Sequence, residues 1–189
     1  MSGMHEVEVK IRLTKPDAVL RRLRKEGFRL ERREWERDIV LDQEDLQLRA
    51  AGQLLRLRRH GRNWLLTFKN RQEKDTRYKS REEIETAVSN GQKLELIFER
   101  LGFHIAWSYE KKRRTFRRGV ERGLVTLDHT PIGFYLELEG PRRWIDRTAA
   151  LLGFSSDDYI TKSYALLYRE YCLARKIKPS QMLFKRIRR

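Results

Sequence analysis

The chain opens on a strict alternation. From His5 to Leu13 it reads His-Glu-Val-Glu-Val-Lys-Ile-Arg-Leu. Successive side chains leave a β-strand on opposite faces, so Val7, Val9, Ile11 and Leu13 share one side while Glu6, Glu8, Lys10 and Arg12 share the other. One such strand describes any half-buried sheet with a wet, charged face. Repetition narrows the choice. Arg56 and Arg58 share a face in Leu55-Arg56-Leu57-Arg58, as do Thr67 and Lys69 in Leu66-Thr67-Phe68-Lys69. Lys111 and Arg113 do so after Tyr109, and Glu137 and Glu139 stand opposite Phe134, Leu136 and Leu138. If the apolar faces pack under helices, the charged faces line either solvent or the inside of a closed sheet. Closure would gather carboxylates and cations into one channel.

Further strands are expected at about 31–42, 54–60, 62–70, 76–85, 104–117, 123–129 and 133–140, and with the first they make eight. Gly61-Arg62 supplies a tight turn between two of them. Thr14 to Asp17 reads as a helix start, with Thr14 capping, Pro16 in the first turn and Ala18, Leu20 and Leu23 as the apolar stripe. That helix ends at Gly27-Phe28, and the same ending recurs at Gly102-Phe103 and Gly153-Phe154. Three helices are therefore expected to close on a left-handed glycine with a hydrophobe beyond it. The second would face the sheet through Leu94, Ile97 and Phe98, the third through Trp144, Ile145 and Leu151. Glu44 to Gln53 is longer than a hairpin needs and reads as a flexible flap. From Ile160 the spacing of Tyr164, Leu167, Tyr168, Tyr171 and Cys172 turns helical.

Composition bounds the function. At 189 residues the chain suits one domain, expected over 1–175, followed by a basic tail over 176–189. A net charge of +16 favours anionic partners: nucleotides, polyphosphates, nucleic acid or an acidic membrane surface. Part of that charge sits on the alternating faces and part in runs at 21–25, 111–118 and 185–189. The single cysteine, Cys172, excludes an internal disulfide. No run free of Asp, Glu, Lys and Arg exceeds nine residues, which excludes a transmembrane segment, and without a signal pattern the expected compartment is the cytoplasm. His5, His60, His104 and His129 show no zinc-like spacing, and no glycine-rich phosphate loop or Ser/His/Asp arrangement stands out.

The motif Glu6-x-Glu8-x-Lys10 resembles the signature of the CYTH superfamily, the triphosphate tunnel metalloenzymes, which include class IV adenylate cyclases, thiamine triphosphatases and inorganic triphosphatases. The resemblance continues in order through Asp38-Ile39-Val40-Leu41-Asp42, Leu55-Arg56-Leu57-Arg58, Leu66-Thr67-Phe68-Lys69, Arg81-x-Glu83-x-Glu85, Lys111-x-Arg113, Val125-Thr126-Leu127-Asp128, Glu137-x-Glu139 and Lys162-Ser163-Tyr164. It implies an α+β fold: a closed eight-stranded antiparallel β-tunnel with helices packed outside. It also implies a metal-dependent enzyme acting on a triphosphate. One departure is Val40, where many relatives carry Tyr, so a contact from that ring is missing here.

A triphosphate needs its charge neutralised on bridging and terminal oxygens alike. Lys10, Arg56, Arg58, Lys69 and Lys162 are the candidate catalytic cations, Lys162 because the resemblance places a substrate-facing lysine at the start of the last helix. Arg12, Arg81, Lys111 and Arg113 are candidate substrate-binding groups, since Arg offers phosphate a planar fork. Carboxylates beside a polyphosphate would repel it unless they hold a divalent cation, and Mg²⁺ or Mn²⁺ prefers hard oxygen ligands. Glu6, Glu8 and Glu139 are the candidate metal ligands, with Glu137 and Asp128 as further carboxylates that would touch the ion or hold its ligands in place. Three readings follow. A triphosphatase would release orthophosphate from tripolyphosphate or a small organic triphosphate, whereas a class IV cyclase would make cyclic AMP and pyrophosphate from ATP. A non-catalytic polyanion- or RNA-binding protein would use the basic surface and tail alone. Cations at many depths favour the first, and the protein is expected to be a monomer or homodimer.

Overall fold

The computed structural model describes residues 4–73, 75 and 77–185. Eight strands close into one barrel: β1 (Met4–Leu13), β2 (Arg29–Gln43), β3 (Leu54–His60), β4 (Asn63–Lys69), β5 (Lys79–Val88), β6 (Phe103–Arg117), β7 (Leu124–Thr130) and β8 (Gly133–Glu139). Their order around the wall is β1-β5-β4-β3-β2-β6-β7-β8, and every neighbouring pair is antiparallel. The opening alternation is the closing seam. β1 pairs with β5 through Glu8↔Lys79 and with β8 through Glu8↔Glu139, so one charged residue faces a cation on one side and a carboxylate on the other. The expected eight-stranded closed sheet is thus present, and its two-residue turn at Gly61-Arg62 joins His60 to Asn63 with Gly61 at φ +61°.

The helices are α1 (Pro16–Lys25), α2 (Gln47–Ala50), α3 (Gly91–Arg100), α4 (Arg142–Leu152) and α5 (Tyr164–Ala174). Outside the barrel, Val9 and Ile11 of β1, Val125 and Leu127 of β7, and Leu136 and Leu138 of β8 form one core with Leu23 of α1 and Ile145 of α4. Opposite, Ile39, Leu41, Leu55 and Leu57 pack against Leu48 of α2 and Leu94 and Phe98 of α3. A third cluster caps one end, where Tyr164, Leu167, Tyr168 and Cys172 of α5 meet Tyr109 and Tyr135. Apolar residues therefore serve the outside of the wall, and charged ones are left to the lumen.

Local readings divide. Gly27, Gly102 and Gly153 all take positive φ, as the three Gly-Phe endings require, and Phe28 and Phe154 donate their N–H groups back to Leu23 and Ala149. Thr14 does not cap α1: Lys15 is the N-cap residue and makes no side-chain cap bond. The buried stripe of α1 is Val19, Leu20 and Leu23, because helical periodicity puts residue 19 rather than Ala18 on the face with Leu23. In α4 Trp144 and Ile145 are buried as expected, with Leu152 in place of Leu151, and in α3 Ile97 turns outward while Leu94 and Phe98 pack. The segment expected to be a flap is pinned, since the Asp42 carboxylate accepts from the N–H groups of Gln43, Leu48 and Arg49 and so anchors α2. β5 starts later than expected because Asp75 turns the chain, accepting from the N–H groups of Arg77 and Tyr78. Beyond α5, Met182 is buried and bridges in parallel to Tyr109 along the free part of β6.

The packing predicts two substitution effects. Val9→Ala removes buried methyl groups from a site with 0% exposure and is expected to cost about 1–2 kcal/mol in urea denaturation. Gly123→Ala would place a Cβ only 2.2 Å from the Trp144 ring and is expected to cost about 1–3 kcal/mol by the same measurement.

Candidate active site

Strand parity turns Glu6, Glu8 and Lys10 of β1 into the lumen, together with the even-numbered charges of β2 and β3 and the odd-numbered charges of β5 and β6. The cavity they line has a volume of about 1470 Å³. Its charges are ordered. From Lys69 of β4 an unbroken sequence of ion pairs runs to Glu83 of β5 at 2.6 Å and Arg56 of β3 at 3.8 Å. It continues to Asp38 of β2 at 3.5 Å, Arg58 at 2.7 Å and Glu36 at 3.3 Å. Lys111 of β6 follows at 3.2 Å and Asp128 of β7 at 3.0 Å, then Arg113 at 2.6 Å. Arg113 pairs with Glu137 of β8, which meets Lys10 of β1 at 3.1 Å, and Lys10 meets Glu8 at 3.2 Å. Glu8 pairs with Lys79, which returns the girdle to β5. All eight strands contribute.

The girdle sets the protonation states. Burial alone would raise Glu8, Glu36 and Glu137, but the adjoining ammonium and guanidinium groups hold all three well below the usual carboxylate range. Burial would likewise lower Lys10, and Glu137 and Glu8 raise it instead. Lys79 goes the other way, down to about 7, because burial and the nearby Lys10, Arg81 and Lys69 outweigh a carboxylate that it shares with Lys10. Tyr164 rises well above its ordinary value through burial and the Asp128 carboxylate, to which its hydroxyl donates at 3.0 Å.

Two lumen groups stand apart. Arg81 forms no ion pair among the described residues, and its buried Nε has no hydrogen-bond partner. Glu139 also lacks a cationic partner among them and is pushed up to about 7, first by the protein crowded around it and then by Glu6 and Glu8. Its side chain still meets channel water, so part of this shift is mutual repulsion of carboxylates rather than dryness. Glu6 is raised in the same way, although Lys69 sits 2.5 Å from it.

The structure brings together Lys10, Arg56, Arg58, Lys69, Arg81, Lys111, Arg113, Glu6, Glu8, Glu137 and Glu139 on the cavity wall. Asp128 lies behind it with 0% exposure, saturated by Lys111, Arg113 and Tyr164, so it orients cations. Lys162 stands at the rim, exposed and paired with Glu170 at 2.6 Å. Arg12 does not join them: its guanidinium lies outside the cavity, 5.1 Å from the centre of the Tyr135 ring. The strand alternation holds there, and Arg12 is still paired to Tyr135 of β8, but its guanidinium packs on that buried ring instead of reaching the cavity. Glu36, Asp38, Lys79, Glu83 and Glu85 were not on the expected list. Parity counted from Arg81 would have found the last three, whereas Arg32 to Asp38 is charged on both faces and hides its inner side. Trp107, stacked on Tyr109 with centroids 4.7 Å apart, and Tyr168 give one end of the cavity an aromatic wall beside Val40.

Among the described residues no three acidic or imidazole side chains already converge as a metal cluster. The donor set nevertheless fits a hard divalent cation, because Glu139 is an unpartnered carboxylate held between two others that repel it. No helix among the described residues is long and apolar enough to cross a membrane.

Residues 4–164 match the CYTH domain family. A Methanocaldococcus jannaschii protein named "putative adenylate cyclase" is 28% identical over 172 residues, spanning 85% of this chain and 97% of its own. A solved Pyrococcus horikoshii protein superimposes with a TM-score of 0.73 at 25% identity, covering 88% of this chain and 99% of that one. A Hippeastrum protein, described as a "putative adenylyl cyclase" with a dominant triphosphatase activity, has a TM-score of 0.67 at 20% identity and covers 88% of this chain and 96% of that one. At that identity the likeness speaks for the fold.

Two outcomes follow from the electrostatics. Asp128→Ala strands the Lys111 and Arg113 charges in the wall and is expected to cost about 3–5 kcal/mol in denaturant melts. Glu139, raised from 4.5 to about 7, stays protonated in the fold where the unfolded chain ionises. Its stabilising contribution is therefore present below about 4.5 and lost as pH rises to about 7. Glu139→Gln is expected to flatten stability against pH across that window, measured by urea midpoints, and an unchanged slope would contradict the assignment.

Proposed function

This chain belongs to the CYTH domain family, and from that premise we propose that it is a metal-dependent triphosphatase, cleaving inorganic tripolyphosphate or a small organic triphosphate to release orthophosphate. The observation that carries this reading is the girdle of cations around the whole lumen, with the buried Arg81 in no ion pair among the described residues. A ligand that is phosphate along its length can meet such a ring at every depth. Arg81 offers the first guanidinium that need not be taken from a carboxylate. Lys10, Lys69 and Lys79 are point charges on flexible stems, so they can turn from their glutamates to phosphate oxygens. Arg58 and Arg113, each locked by two or more carboxylates, hold the wall at fixed potential.

Glu6, Glu8 and Glu139 would hold the divalent cation, Mg²⁺ or Mn²⁺, which when bound neutralises phosphate oxygens and orients water. The chain's own share is positioning. It aligns the terminal phosphoryl group along the tunnel, supplies positive charge where it accumulates, and limits water to the open end. Attack by water on the terminal phosphorus breaks the bridging P–O bond and releases orthophosphate.

One observation favours a second reading. The Trp107–Tyr109 stack with Tyr168 is a flat apolar wall at the end of the cavity, and a purine could rest there while the ribose 3′-hydroxyl attacks the α-phosphorus. The names of similar proteins point the same way. Products decide: with tripolyphosphate, thiamine triphosphate and ATP, each with Mg²⁺ and Mn²⁺, the triphosphatase releases orthophosphate and leaves ADP from ATP. Stoichiometric cyclic AMP and pyrophosphate would establish the cyclase instead. Polyphosphate binding that survives chelator without any turnover would leave only a polyanion-binding role.

Arg81→Ala is expected to lower kcat/KM for tripolyphosphate by about 100-fold while shifting the melting temperature little, since Arg81 holds no ion pair among the described residues. Arg58→Ala should do the reverse in proportion, losing about 3–5 kcal/mol of stability because Asp38 and Glu36 are buried beside it. Tripolyphosphate with Mg²⁺ should raise the melting temperature more than either alone, because each brings the charge that the other's site lacks.

A further inference from the structure

Helices cover most of the barrel's outside, but not all of it. Between the core under α1 and α4 and the core under α2 and α3, no helix of the described residues covers the outer face of β2 and β6 over residues 33–37, and Phe184 alone among them packs on its aromatic centre. Trp35 stands in the middle of this sector, 55% exposed, where a ring of that size buries little of its surface. Strand register sets two like-charged pairs around it: Arg33 lies opposite Arg114, and Arg37 lies opposite Arg59. Like charges directly opposite one another weaken a sheet, and no carboxylate among the described residues pairs with any of these four. Lys112, opposite Trp35, holds its ammonium 5.4 Å from the indole centre and 5.3 Å from that of Phe184. Phe184 itself stands edge-on to Trp35 at 6.1 Å. Glu110 lies opposite Arg37 in the register without forming an ion pair among the described residues, so the cations of this sector outnumber its one carboxylate and bracket an accessible aromatic plane.

We propose that this sector binds single-stranded RNA. Trp35 would stack an unpaired base, and the arginine pairs would hold phosphates on either side of it, since alternate residues of a strand from Arg33 to Arg37 span about 13 Å. A duplex keeps its bases stacked inside and offers nothing to the ring. A membrane needs several apolar side chains to insert, and here charge surrounds a single exposed indole. RNA is favoured over DNA because its 2′-hydroxyls give the guanidinium donors acceptors that a DNA strand lacks. The proposal is independent of the tunnel's chemistry.

The test is fluorescence anisotropy with a labelled single-stranded RNA 12-mer and the full chain in chelator, where no metal-dependent turnover occurs, with and without excess tripolyphosphate as a competitor for the tunnel. Trp35→Ala and the double variant Arg33→Ala/Arg114→Ala are each expected to weaken binding roughly tenfold with melting temperatures retained. Arg21→Ala/Arg24→Ala, which removes two equally exposed charges from α1, should change it by less than about twofold. Equal loss in that control would reduce the effect to net charge and overturn the proposal. So would equal affinity for DNA of the same sequence, release of the RNA by tripolyphosphate, or a preference for anionic phospholipid vesicles that Trp35→Ala abolishes.

Discussion

An alternating girdle of ion pairs, threaded through all eight strands, is the constraint on which this molecule depends. Removing so many charges from water is expensive, and buried pairs return that cost only when geometry and partners are complete. The ring arrangement supplies the completeness. Glu36 lies between Arg58 and Lys111, and Asp128 between Lys111 and Arg113, so truncating one member leaves its neighbours short of a partner. The girdle also fixes register. Slipping β1 or β8 by one residue would send its charges into the apolar outer core and its valines, isoleucines or leucines into the lumen.

Two charged groups of the lumen are left out of the girdle. Arg81 and Glu139, one cation and one carboxylate, face the lumen without an ion-pair partner among the described residues. A ligand that carried both signs, phosphate with a divalent cation, would satisfy both at once, which no single ion can do. The chemistry asked of the protein is then modest: to hold charge in place in a channel with little bulk water, where electrostatic interactions are stronger than outside.

Outside the barrel the logic is reversed. Apolar rows under α1, α3 and α4 are covered because burial favours it, and the sector around Trp35 is left uncovered because its side chains are arginines that lose hydration under a helix. Residues after α5 add Met182 and Phe184 to the free part of β6, so the segment from Ser180 to Phe184 borders both the aromatic end of the cavity and the basic sector.

Eight strands, the inward face of β1, the glycine-ended helices and most of the lumen cations could be read from the chain, because period-2 alternation and left-handed glycines are local properties. Which face of Arg32 to Asp38 points inward could not, since both faces are charged, and only pairing with β3 and β6 decides it. The flap reading failed because Asp42 reaches forward to cap α2, a contact that needs the chain to have already turned. Arg12 shares the parity of Lys10 and still misses the cavity, because parity gives a direction while the buried Tyr135 ring across the strand pair decides what that direction meets. By itself the sequence determined which residues are charged on which strand face. Only closure of the sheet decided which of them meet: ion pairs act over about 4 Å, and residues as distant along the chain as Glu8 and Lys79 come within that range only when β1 completes the wall.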